Sequence, residues 1–160
     1  MTDSSSRRNF LRGRFSTSKG PVRPPWSLAE SDFLRACTRC GDCLNACPTK
    51  VITDRDAGYP SIEFAAGECS FCGDCVTACK TGALKRIDGR LPWSAQASYG
   101  DQCLAQRRIE CRICGDQCEV QAIRFPLRAG GIAIPLIDSS ACTGCGACVA
   151  PCPVGAMTVA

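Results

Sequence analysis

The chain has 160 residues, 16 of them cysteine and none histidine, with a formal charge of +4. That length suggests one domain or two small ones, and so many cysteines point to disulfides or bound metal. The lack of histidine excludes Cys2His2 zinc, Rieske centres, haem attached through C-x-x-C-H and imidazole-based catalysis.

In chain order, residues 1–27 read as a basic, disordered arm. Within it, Ser6-Arg7-Arg8-Asn9-Phe10-Leu11 looks like a twin-arginine export signal. An export signal also needs an apolar stretch, and Arg12-Gly13-Arg14 stands where it would begin, so export is rejected. No apolar run approaches the roughly 18 residues of a membrane span, so membrane insertion is not expected and a cytoplasmic location is. The arginines suit docking on an acidic partner. Pro21, Pro24 and Pro25 keep the end of the arm extended, and Trp26 is expected to fold back over a metal site.

Residues 28–90 form the first unit. Ser27 and Glu30 have the spacing of a capping box, which predicts a helix over 28–36. Then comes Cys37-x2-Cys40-x2-Cys43-x3-Cys47-Pro48. Three thiolates spaced two apart on a tight loop can reach different irons of one cubane, while the fourth points to a second cluster. The proline restricts how the chain leaves the site. Strands are predicted at 50–53 and 61–64 around a turn at Asp56-Ala57-Gly58. Cys69-x2-Cys72-x2-Cys75-x3-Cys79 repeats the run, with Lys80 in place of proline, and a strand at 83–87 closes the unit. A cation at Lys80 should raise the potential of the neighbouring cluster.

Residues 91–97 read as a linker whose Pro92-Trp93-Ser94 echoes Pro25-Trp26-Ser27, and 98–160 as a second unit. Its first run is expanded: Cys103, seven residues, then Cys111-x2-Cys114-x3-Cys118-Glu119. Strands are predicted at 122–125, 131–137 and 156–159. The last run, Cys142-x2-Cys145-x2-Cys148-x3-Cys152-Pro153, has the full bacterial [4Fe–4S] pattern, and Gly144 and Gly146 let its backbone approach inorganic sulfide. The four runs use every cysteine.

The reading is an α+β fold of tandem two-cluster ferredoxin-like units, with short helices and β-hairpins around four [4Fe–4S] clusters. Because the fourth cysteine of a run serves the other cluster, the expected sets are Cys37, Cys40, Cys43 and Cys79; Cys69, Cys72, Cys75 and Cys47; Cys142, Cys145, Cys148 and Cys118; and Cys111, Cys114, Cys152 and Cys103. The long loop after Cys103 leaves open a three-iron or labile cluster on the other three. Disulfides do not use such regular runs, and structural zinc closes on two separated pairs. Each cube with four thiolates carries about −2, so the loaded chain is near −4 overall and the basic balance does not indicate nucleic acid. Asp42, Asp74 and Asp116 recur beside the runs as a turn preference. No phosphate loop, nucleotide fingerprint or nucleophile–base pair is visible, so no enzymatic activity and no catalytic residue is expected.

Ser6-Arg7-Arg8, Arg23-Pro24-Pro25-Trp26-Ser27, Gly58-Tyr59-Pro60-Ser61, Glu68-Cys69-Ser70-Phe71-Cys72, Cys103-Leu104-Ala105, Glu110-Cys111-Arg112 and Cys118-Glu119 occur in this order. In these residues the chain resembles the NapF family of ferredoxin-type proteins from periplasmic nitrate reductase systems. The resemblance implies a cytoplasmic iron–sulfur accessory protein that binds the precursor of the catalytic subunit NapA. It would assist maturation of that precursor, including its [4Fe–4S] cluster, before twin-arginine export. A redox donor protein is a further partner class, and a soluble one-electron carrier is the alternative function.

Overall fold

Two apolar cores, each built partly from cysteine, organise the chain. The computed structural model describes residues 20–127, 129 and 131–160. The twin-arginine-like stretch and the arginines before residue 20, with Arg128 and Gly130 of the second hairpin turn, lie outside the described residues.

In the first half, α1 (Glu30–Ala36) buries Phe33 against Val51, Ile52, Leu84, Cys43, Cys47 and Cys75. The expected capping box is not formed. Ser27 Oγ instead donates to the Pro24 carbonyl at 2.7 Å, and the helix begins after Ala29 without a side-chain cap. Glu30 accepts from Arg23, which also pairs with Asp56 at 2.6 Å and stacks over Phe33. α2 (Asp42–Ala46) lies within the first run, between Cys40 and Cys47, and β1 (Ile52–Asp56) and β2 (Tyr59–Ile62) form an antiparallel hairpin. Its two-residue turn, Ala57-Gly58, has both φ positive, the geometry that matches strand twist. α3 (Asp74–Ala78) mirrors α2.

Residues 20–27 do not behave as the disordered arm expected of 1–27. Pro24 and Pro25 are fully buried, and Ile62 N–H bonds the Val22 carbonyl at 2.7 Å. The closing strand expected at 83–87 is reduced to one bridge, Ser27 with Leu84, flanked by Leu28 N–H to Ala83 and Lys85 N–H to Trp26.

In the second half the same closure is longer. β3 (Ala97–Tyr99), not foreseen as a strand, pairs antiparallel with β6 (Met157–Val159). α4 (Ile113–Asp116) lies within the expanded run, around Cys114, and β4 (Ile123–Arg124) pairs with β5 (Leu136–Ile137). These last strands are two residues each, shorter than expected. Ile123, Met157 and Cys148 form the core of this half. Among the described residues, no helix is long and apolar enough to cross a membrane.

Candidate iron–sulfur sites

The runs are shaped by backbone turns before any side chain is considered. Arg39 (φ 58°) and Gly41 (φ 79°) are left-handed on either side of Cys40, as are Phe71 (54°) and Gly73 (88°) around Cys72. Gly144 (73°) and Gly146 (86°) do the same around Cys145. Each left-handed step reverses the chain, so the loop curls around a centre, and left-handed glycines lead into α2 and α3. Asp42 and Asp74 occupy the first positions of those helices, where a carboxylate opposes the helix dipole. Asp116 ends α4 instead, so the three aspartates are not equivalent.

These loops gather cysteines across the halves of each hairpin. Cys37, Cys40, Cys43 and Cys79 line one cavity. Cys47, Cys69, Cys72 and Cys75 line a second, covered by Pro25 and Trp26. Cys103, Cys111, Cys114 and Cys152 line a third. Cys148 is buried near Cys142 and Cys145, and Cys118 packs against the same apolar cluster as Cys148. The long loop after Cys103 does not carry it away. Arg107 N–H bonds the Cys103 carbonyl, Ile109 N–H bonds that of Leu104, and Ala105 is buried, so the extra residues coil back on themselves.

The sulfur environments fall into two kinds. Cys43 and Cys114 are pushed up to about 11, and Cys75 and Cys148 to about 12, by burial and then by neighbouring thiols. Burial also acts on Cys47, Cys79 and Cys152, yet their pKa values are lowered. Backbone N–H groups overcome it: Ala156 N–H reaches Cys152 Sγ at 3.2 Å and Leu84 N–H reaches Cys79 Sγ at 3.4 Å. Thr49 Oγ1 lies 3.6 Å from Cys47 Sγ. Amides aimed at sulfur stabilise thiolate and tune iron–sulfur centres, so the donor set fits a thiolate-held cluster. Among the described residues, no group of three or more Cys, Asp or Glu closes tightly enough for a single ion.

The cation expected from Lys80 is not free to act alone. Its Nζ lies 3.1 Å from Asp42 Oδ2, beside the cavity of Cys40 and Cys43. The role given to Gly144 and Gly146 also changes. A Cβ on Gly144 would strike the Ala95 carbonyl, and one on Gly146 the Phe64 ring, so both glycines admit neighbouring protein. That signal is invisible in sequence, because the contacting residues lie far from the run.

Comparison with known proteins agrees with this chemistry. Two family profiles, each described as a 4Fe-4S dicluster domain, match residues 36–84 and 107–156. The chain is 50% identical over 163 residues to "Ferredoxin-type protein NapF" of Haemophilus influenzae, covering 96% of this chain and 92% of that protein. It is 45% identical to the NapF of Escherichia coli K12, covering 99% and 96%. It is 34% identical to "Methylamine utilization ferredoxin-type protein MauM" of Methylorubrum extorquens, covering 84% of this chain and 69% of that protein. With two [4Fe–4S] domains and near full-length identity at this level, the chain belongs to the NapF family of ferredoxin-type proteins.

Proposed function

We propose that the chain holds four [4Fe–4S] clusters and serves as a cytoplasmic, non-catalytic accessory protein that binds the NapA precursor and assists its maturation before export. The ligand sets are Cys37, Cys40, Cys43 and Cys79; Cys69, Cys72, Cys75 and Cys47; Cys142, Cys145, Cys148 and Cys118; and Cys103, Cys111, Cys114 and Cys152. The observation that carries this assignment is the grouping of four cysteines from two different runs around a single cavity in three of the four sets. A bound cluster supplies one-electron chemistry. The protein's part is to hold thiolate through backbone N–H groups and to cover the sites with Trp26, Phe71 and Trp93.

The units are taken as 28–90 and 98–160, joined by 91–97. Residues 20–27 pack on the first unit, so the partner-docking role falls to the basic segment before residue 20. The maturation role rests on the near full-length match to NapF proteins. An anaerobic pull-down against precursor and mature NapA, with iron and sulfide counted in the same sample, tests it. Capture of the precursor alone is expected, and equal or absent capture of both would overturn the maturation role. A soluble one-electron carrier is the second reading, favoured by the exposure of Cys40 and Cys72, which brings two sites close to the surface.

A further inference from the structure

The two halves meet through ligand loops. Cys69 N–H donates to the Cys145 carbonyl at 2.8 Å, joining the second run of one half to the last run of the other. Aromatic packing fixes this contact. Phe64 fills the space that Gly146 leaves, and Trp93 lies edge-on to Phe64 at 6.2 Å and to Phe71 at 5.4 Å between centroids. Trp93 Nε1–H donates to the Thr143 carbonyl at 2.8 Å, holding the loop of Cys142 and Cys145 against the first half. Trp26 N–H bonds the Pro92 carbonyl at 2.6 Å, so the linker is tied down as well.

We propose that the Cys69–Cys145 hydrogen bond is the electronic bridge between the two units, making the four cysteine sets one series rather than two isolated pairs. The sulfur of each residue connects to the other through its own Cβ and backbone and this single hydrogen bond. Within the halves, Cys43 lies near Cys75 and Cys148 near Cys114. The order in space is therefore the Cys37 set, the Cys69 set, the Cys142 set and the Cys103 set. Passage across the bridge moves one electron from the reduced side to the oxidised side; no proton moves and no bond is made or broken. The first electron comes from an external one-electron donor, dithionite in the test below. Trp93 and Gly146 are positioning residues for the bridge.

The inference rests on the four-cluster reading above, and the experiment separates the two. Holoprotein, Trp93→Ala and Gly146→Ala are reduced anaerobically with dithionite. Iron and sulfide are counted, and magnetic coupling is read by electron paramagnetic resonance. In the parent protein the reduced spectrum should contain interactions beyond two independent pairs, and Trp93→Ala should lose them while keeping its iron and sulfide. Gly146→Ala forces a Cβ into Phe64 and can cost its own site; if its iron falls, Trp93→Ala alone decides. A parent spectrum explained by two independent pairs, or unchanged coupling in an iron-replete Trp93→Ala, overturns the bridge. Parent protein with too little iron and sulfide for clusters in both units overturns the four-cluster reading and the bridge with it.

Discussion

Lys80 Nζ and Asp42 Oδ2 lie 3.1 Å apart, linking the residue after the second run to the first residue of the helix within the first run. Each holds the other's charge: the Lys80 ammonium lowers the Asp42 carboxyl, and Asp42 raises Lys80. Both sit beside the cavity lined by Cys37, Cys40, Cys43 and Cys79. Asp42→Asn should therefore leave a bare cation and raise the reduction potential of that site, while Lys80→Gln should lower it. The shifts should be small and shrink with added salt, because the pair is solvent-exposed. Redox titration at low and high ionic strength checks both signs.

Arg23 is the staple of the N-terminal segment. Its guanidinium reaches Glu30, Asp56 and the Pro60 carbonyl while stacking over Phe33. Arg23→Ala should destabilise the first half by about 2 kcal/mol, since it removes charge-assisted bonds and leaves the Pro60 carbonyl without its donor. Arg23→Lys should recover only part, because an ammonium cannot fork between two carboxylates and a carbonyl. The half-time of visible-absorption loss in denaturant, measured anaerobically, gives the ranking.

Cysteine variants should respect the crossing of runs. Cys47→Ser should empty the site of Cys69, Cys72 and Cys75 rather than that of Cys37, taking about a quarter of the iron. Cys103→Ser should convert or empty only the site of Cys111, Cys114 and Cys152. Iron analysis with electron paramagnetic resonance of each variant distinguishes these losses; iron lost from the Cys37 site in Cys47→Ser would refute the crossing.

Truncations should divide the N-terminus at its packing boundary. Removing residues 1–19 should keep the cluster absorption and weaken capture of the NapA precursor. Removing 1–27 should also cost iron, because Pro25 and Trp26 cover the cavity of Cys47, Cys69, Cys72 and Cys75.

The spacing of the cysteine runs made legible the three groups of thiols that share a cavity, including that of Cys103, where the intervening loop coils up locally. Polar local signals were less dependable. Ser27 and Glu30 read as a cap in isolation, but Pro24 and Arg23 lie close enough to claim them both. The strand at Ala97–Tyr99 alternates apolar and polar residues over only three positions, too few to read as a strand; its partner Met157–Val159, far along the chain, supplies the pairing that makes it one. The fit of Gly146 to Phe64 was hidden for the same reason, because each residue looked complete within its own unit.

The contact of Cys69 with Cys145 places like against like: the second run of one half abuts the second run of the other. The pairing is one-way, since Cys69 is the first cysteine of its run and Cys145 the second of its own, so it lacks the reciprocity of an isologous dimer. The first run of each half takes no part in this hydrogen bond and marks a separate face. The two faces differ, one bearing the Asp42–Lys80 pair and the other the coiled insertion after Cys103. Covalent fusion frees the two faces from having to match. A pair of identical subunits would offer every partner the same surface twice, whereas this polypeptide can present two different ones.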